Sequence, residues 1–368
     1  MYHSTKAYID TSALKYNISK IREHVCSANE KVSIIAVVKA DAYGHGAKIC
    51  APALFSSGIR DFAVSNLDEA LELRNILGKE ANILILGFCP PEYAQVLCEN
   101  DITQTVYSLE YARALCENIN DKLNVHIKID TGMNRLGFSP DESGEREIKK
   151  ALESKKLTAT GIFTHFARAD ETEKEPTKEQ FEKFRYIIDL LEKDGITFKT
   201  KHACNSAGII SYPEAYLDAV RCGIIMYGLS PSDEVPAAGL MPVMRLVSRV
   251  SHIHTVKKGE KISYGGMFTA PHDMRVATLP IGYADGFVRS YSTGGVYING
   301  SFAKILGRIC MDQCMVDVTD IPCSVGEEAE IFGKHQSAEV FAKCAGSIGY
   351  ETTCLIGKRV MREEVSEN

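Results

Sequence analysis

Residues 33–46 read Ser33-Ile34-Ile35-Ala36-Val37-Val38-Lys39, then Ala40-Asp41-Ala42-Tyr43-Gly44-His45-Gly46. Branched aliphatic residues at this density, without alternation, suit a parallel strand buried on both faces. The strand predicted over Ile34–Lys39 ends in a lysine at the start of a glycine-rich turn. Such a lysine either snorkels to water along its stem or stays desolvated, which lowers its pKa. A neutral amine there can condense with an aldehyde. Tyr43 and His45 add a hydroxyl and an imidazole nearby.

Outward from this segment, similar runs recur at Phe62–Asn66, Ile83–Gly87, Ile102–Tyr107, Val125–Asp130, Thr160–His165, Phe198–Asn205 and Val220–Tyr227. Helical patterns such as Asp68–Leu77, Glu92–Glu99, Leu109–Asn118 and Lys178–Lys193 lie between them. Eight strand–helix units in about 220 residues suit a (β/α)8 TIM-type barrel. A doubly wound sheet is the alternative, because alternation does not by itself show closure. The pattern changes after Pro231. Ser232–Pro242 reads as a junction. Short strands follow at Leu246–Val256, Arg275–Pro280, Val296–Ile298, Ala303–Leu306, Met315–Val318 and Ala329–Phe332, with one helix at Ser337–Cys344. The expected fold is thus α/β: a strand in residues 1–10 packing with the C-terminal domain, a barrel over 11–235, and a mainly β domain over 236–368.

The net charge of −6, with no basic block, argues against a nucleic-acid partner. No apolar stretch is long enough to span a bilayer. The N-terminus lacks the apolar core of a signal peptide, so a cytoplasmic location is expected. Twelve scattered cysteines without a CxxC pair read as reduced thiols. Cys310 and Cys314, on an apparent strand, lack metal-ligand spacing. His252 and His254 share a strand face without a third ligand, so no metal is expected.

In a barrel, chemistry sits where the strands end. Here the ends carry Lys39; Lys128 and Asp130, then Thr131 to Gly137; Thr164-His165; Asn205-Ser206; and Arg221-Cys222-Gly223-Ile224. Each alone is more often structural; five on one rim suggest a site.

The segments AVVKADAYGHG, KIDTGMNRLGF, THFARAD, NSAG, RCGIIMYG, SYGGMFTA, LPIGYADGFVR and GRICMDQ resemble, in order, the motifs of the alanine racemase family. The resemblance spans nearly the whole chain. It implies pyridoxal 5'-phosphate (PLP) as cofactor, held covalently by Lys39. Ser206 and the amides of Gly223 and Ile224 could cradle its phosphate, and the family adds Tyr43 and Tyr350. Arg221 would face the pyridine nitrogen; a guanidinium only donates, so the ring stays unprotonated and a weaker electron sink. Arg135 would hold the phenolic oxygen and the substrate carboxylate, Asn205 would support the site, and Lys128 matches a lysine carbamylated in some members.

Inverting a carbon with fixed groups needs one base on each face. Lys39 is one, and the resemblance implies Tyr264 as the other. A free phenol has a pKa of about 10 and needs cationic or hydrogen-bonding neighbours to act near neutrality; His165, linking Tyr264 to Arg221, would supply them. By itself Tyr264 reads as a β-turn tyrosine. In the family it comes from the other subunit of a homodimer, together with Met311, whose amide touches the substrate, and Asp312. Tyr283 would narrow the entrance, lined by Asp170, Arg289 and Arg308. The implied reaction is interconversion of L- and D-alanine, an isomerase step supplying peptidoglycan. The alternative is a serine racemase of glycopeptide (vancomycin) resistance; those tend to carry asparagine where this chain has Tyr350. Barrel decarboxylases pair the ring nitrogen with a carboxylate, which Arg221 disfavours, and PLP-homeostasis proteins are lone barrels. The chain departs from the family at Met361, where proline is usual, and in SYGGMF.

Overall fold

The computed structural model describes residues 4–366. Eight parallel strands close in sequence order: Ser33–Val37, Asp61–Val64, Asn82–Ile85, Ile102–Val106, Leu123–Lys128, Leu157–Phe163, Thr200–His202 and Ala219–Cys222. Closure is made by the first strand pairing with the last, Ile34 opposite Val220 and Ile35 opposite Arg221. The doubly wound alternative is therefore excluded. Ile35, Val37, Ala63, Leu84 and Ala219 pack inside the ring. Their neighbours Ile34, Ala36, Phe62 and Ile83 face outward into the helices. This two-sided burial explains the absence of alternation in the strand sequences. Helix Thr11–Ala28 covers the wall with Leu14, Ile18, Ile21 and Val25, at helical spacing. Asp10 caps it by accepting from the amides of Ser12 and Ala13, an arrangement worth about 1 kcal/mol.

Asp10 also ends the strand Lys6–Asp10, which pairs antiparallel with Met244–Arg249 and parallel with Met361–Val365. These three lie in a six-stranded sheet with Glu328–Phe332, Gly295–Ile298 and Ser301–Lys304. The barrel's first helix thus grows directly out of the second domain's sheet. A three-stranded sheet comprises His252–Val256, Met274–Leu279 and Cys314–Asp317.

Several boundaries differ from the sequence reading. The run Leu246–Val256 is two strands in two sheets. The amide of Val250 donates to the Glu327 carbonyl and that of Ser251 to Thr278, so adjacent residues serve different sheets. The first barrel strand stops at Val37, two residues before Lys39. The eighth stops at Cys222, and Ile224–Tyr227 form a 3-10 turn closed by Gly228 in the left-handed region (φ 74°). The seventh is only Thr200–His202, because Asn205 caps the helix Ser206–Ser211. Cys310 bonds to Gln313 in a turn that precedes the strand. Helix Gly349–Cys354 has no counterpart in the sequence reading. All twelve cysteines are free. Among the described residues no helix is long and apolar enough to cross a membrane.

Candidate active site

A cavity of about 390 Å³ opens at the C-terminal rim of the barrel. Its wall includes Lys39, Tyr43, His165, Asp170, Asn205, Ser206, Arg221, Gly223, Ile224 and Tyr350, all named from sequence. A larger groove of about 750 Å³ runs along the six-stranded sheet, but it holds none of those residues. Convergence of titratable groups, not size, identifies the site.

Lys39 is held by unusual backbone. Ala40, Asp41, Ala42 and Tyr43 have φ of 51°, 52°, 55° and 54°, a full left-handed turn of non-glycine residues. Each such residue costs roughly 1–2 kcal/mol, so the surroundings must enforce it. The Ala40 amide donates to Glu69 Oε1 at 2.8 Å. The Ala47 amide donates to Asp41 Oδ1 at 2.6 Å. Gly44 ends the turn at φ 81°, and a Cβ there would lie 2.0 Å from the Thr353 carbonyl oxygen. The turn is thus clamped between Glu69 and helix Gly349–Cys354, and Lys39 sits at its head. Burial, then the nearby Arg135 charge, lowers the Lys39 pKa, with Glu69 opposing. His45, by contrast, is buried away from this cavity: Nδ1 lies 3.0 Å from the Ala42 carbonyl, and the ring stacks on Tyr227.

Arg221 is buried at the cavity floor. Its Nη1 donates to His202 Nδ1 at 2.8 Å and to the His202 carbonyl at 3.2 Å. Its Nη2 donates to the carbonyls of Thr164 (2.7 Å) and Ala203 (2.8 Å), and to His165 Nδ1 at 3.3 Å. Burial lowers its pKa to about 10, which leaves it charged at neutrality. Because a guanidinium cannot accept, His165 presents its lone pair to Arg221 and carries its proton on Nε2. Burial first, then the charges of Arg221, Arg135, Lys128 and Lys39, keep this imidazole neutral.

The opposite wall is a hydroxyl cradle. The Gly223 amide donates to Ser206 Oγ at 3.0 Å. A Cβ on Gly223 would come within 2.8 Å of the Tyr43 hydroxyl and 3.4 Å of Ser206 Oγ, so only glycine keeps the cradle open. Tyr350 reaches this wall from the second domain, its ring 6.1 Å from that of Tyr43. Asn205 is mainly structural, its side chain accepting from the Gly208 amide and donating to the Phe166 carbonyl.

Arg135 and Lys128 stand beside the cavity. Asp130 accepts from the amides of Gly132, Met133, Asn134 and Arg135, which folds the loop that carries Arg135. Lys128 is buried, with Nζ donating to the carbonyls of Ile129 (2.6 Å) and Leu136 (3.1 Å). Burial pushes its pKa down to about 7, with Arg221 and Arg135 adding to the effect and Asp130 opposing it.

The remaining predicted residues lie on the β domain and do not line the cavity. Tyr264 is 70% exposed and Met311 53% exposed. Tyr264 follows Ser263 at φ 68° and precedes Gly265 at φ 74°, and Ser263 Oγ donates to the Arg308 carbonyl. Tyr283 is also exposed, Arg289 opens the turn Arg289–Thr293, and Asp312 pairs with Arg359 at 2.8 Å. Sequence reasoning missed Glu69, His202, the loop-folding role of Asp130, and Cys354, which lines the cavity near Lys39. Glu69 lies on the helix Leu67–Leu77 that follows the adjacent barrel strand, 30 positions from Lys39, and gave no local signal. His202 was legible only as part of the strand predicted over Phe198–Asn205.

A lysine amine at the head of a clamped turn, a buried guanidinium and a glycine-floored hydroxyl cradle share one rim. Together they define the class, a barrel enzyme that holds an aldehyde cofactor carrying a phosphate. Residues 9–231 match the family model "Alanine racemase, N-terminal domain" and residues 243–364 the model "Alanine racemase, C-terminal domain". The chain belongs to the alanine racemase family. It is 43% identical over 364 residues to an alanine racemase of Desulforamulus reducens, covering 97% of each. An alanine racemase structure from Clostridium difficile 630 superposes with a TM-score of 0.95 at 40% identity, over 100% of this chain and 97% of that one. The alanine racemase of Bacillus anthracis with bound L-Ala-P gives 0.93 at 35% identity, over 100% and 96%. PLP is the family's cofactor, and the open cradle at Gly223 with the amine of Lys39 across the cavity fits it.

Proposed function

We propose that this chain interconverts L- and D-alanine with PLP, using one base on each face of the α-carbon, and works as a homodimer. The observation that carries the reading is the meeting of Lys39, lowered in pKa by burial, with the buried Arg221 in one cavity. When bound, PLP supplies an aldehyde for amines and an electron-withdrawing ring that acidifies the α-proton.

The chain's own residues do the rest. Ser206, the Gly223 and Ile224 amides, Tyr43 and Tyr350 hold the phosphate. Arg221 would donate to the pyridine nitrogen without giving up its proton, which leaves the ring a weaker electron sink. Arg135 holds the phenolic oxygen and, with the Met311 amide, the substrate carboxylate. Lys39 Nζ takes or returns the proton on one face. Tyr264, contributed by a second copy, serves the other. His165, with its proton on Nε2, would donate to that phenol and link it to Arg221. Lys128, about half neutral at pH 7, is in that neutral fraction a nucleophile for carbon dioxide, and the carbamate would face Arg135. Asp170, Tyr283, Arg289, Arg308 and Asp312 shape the entrance. The product serves peptidoglycan synthesis.

The test is direct. Purified protein with PLP and L-alanine yields D-alanine by chiral chromatography, and the gene rescues a D-alanine auxotroph. Absence of D-alanine under these conditions overturns the reading. L-serine run in parallel turns over more slowly, because the Tyr350 phenol crowds its extra hydroxyl; a preference for serine would point to the serine racemase alternative.

A further inference from the structure

Below Arg221 the barrel interior holds two more imidazoles in line. His202 Nε2 lies 2.9 Å from His126 Nδ1. The tautomers follow from the arginine. His202 Nδ1 must accept from the guanidinium, so its single proton sits on Nε2 and donates to His126. His126 then accepts at Nδ1 and carries its own proton on Nε2. Burial keeps both rings neutral, as this pattern requires.

Two backbone features make room for the lowest ring. The pairing of Leu123–Lys128 with Leu157–Phe163 shifts register between Val125 and His126. The residue opposite His126 is Gly161, where a Cβ would lie 2.6 Å from the imidazole. A bulge re-aims a side chain, and a strand glycine marks close approach. Barrel interiors are otherwise filled by branched aliphatic residues, which need neither device and incur no desolvation of polar groups. His126 is not in the wall of the rim cavity; it borders a separate cavity of about 200 Å³ lined by strand-start residues including Asp61, Asn82 and Lys199.

We propose that His126 is a positioning residue of the rim site: by accepting from His202 it fixes the His202 tautomer and so holds Arg221 in one orientation. This rests on the reading of Arg221 as the partner of the pyridine nitrogen. Without the acceptor, His202 is free to place its proton on Nδ1. It then confronts the guanidinium donor with donor, and Arg221 turns away.

The experiment compares PLP-loaded wild type with H126N and H126F. Asparagine Oδ1 stands where Nδ1 stood, whereas phenylalanine keeps the bulk and removes the acceptor. H126F is expected to shift the visible absorbance of the bound cofactor and lower kcat about tenfold with little change in KM, the scale of one lost buried hydrogen bond. H126N is expected to keep the wild-type spectrum and most of kcat. If H126F retains the wild-type spectrum and kcat, or if both variants lose only thermal stability, His126 is filler and the proposal falls. If neither variant folds, 15N-histidine spectra of the wild-type holoenzyme decide: both His202 and His126 protonated on Nε2 support it, and His126 protonated on Nδ1 overturns it. That readout is independent of turnover, so failure of the racemase reading is separately visible.

Discussion

Arg221 is 3% exposed and makes five hydrogen bonds inside the barrel, whereas Tyr264 is 70% exposed. The rim residues are fixed by folding, their donors and acceptors matched before any substrate arrives. The β-domain residues Tyr264, Met311 and Tyr283 sit on exposed surface, where a monomer has nothing to gain from apolar and aromatic groups. Function in the first region depends on the stability of one chain; in the second it depends on what that surface meets. The contrast gives the largest expected effect. Lys39→Ala and Tyr264→Phe are each expected to abolish most racemisation. On the proposed homodimer, co-expression with different tags is expected to give mixed dimers in which one site regains both groups. Random pairing then restores about one quarter of wild-type activity. No recovery in the isolated mixed dimer would place both bases in one chain and break the comparison.

Next in size is Arg221→Ala. Four of its five bonds are buried, and each stranded buried partner costs about 1–3 kcal/mol. A stability loss of about 3 kcal/mol or more is therefore expected in chemical denaturation. Tyr264→Ala, on open surface, is expected to leave monomer stability within about 0.5 kcal/mol. Equal losses would mean that the two regions are not built differently.

How much of this could be read in advance follows from the same contrast. The barrel strands were legible because burial on both faces leaves a continuous aliphatic signature, and Lys39, His165 and Arg221 were legible because charged types end those strands. The split at Val250 and Ser251 was not, since the switch between sheets is made by amides, which every residue has. Nor was the seat of Asp130, whose carboxylate could have served chemistry but instead folds the Arg135 loop. His126 and Gly161 meet across strands 35 positions apart, which no local pattern records. The exposure of Tyr264 was also illegible: a tyrosine beside two glycines reads the same whether it packs or protrudes.

Lys128 offers a smaller effect inside the rim region. Its pKa is about 7 when folded and about 10.4 when unfolded. Between those values the unfolded chain binds a proton that the folded chain does not, so stability rises with pH. Below about pH 7 the burial penalty is at its full and constant value. In buffer free of carbon dioxide, Tm of the wild type should gain on that of Lys128→Met as pH goes from 7 towards 10. With bicarbonate the gain should shrink, because a carbamate has replaced the amine. Parallel Tm curves in both buffers would show that Lys128 does not titrate in this range.

The smallest effect concerns the left-handed turn, and it probes how the rim acquires its precision. Ala40 is exposed and sits at φ 51° directly after Lys39. Glycine at this position relieves a strain of roughly 1 kcal/mol but gives the unfolded chain about as much additional freedom. Ala40→Gly should therefore change stability by less than about 1 kcal/mol. The cost should fall on kcat instead, since the clamp made by Glu69 and Gly44 then holds a looser segment and Lys39 Nζ spends less time aligned. Ala40→Val tests the other side: a branched Cβ in this region is strained further, and stability should fall by more than the glycine variant changes it. If both variants leave kcat untouched, the left-handed turn is a route the chain takes between strand and helix, and the placement of Lys39 owes nothing to it.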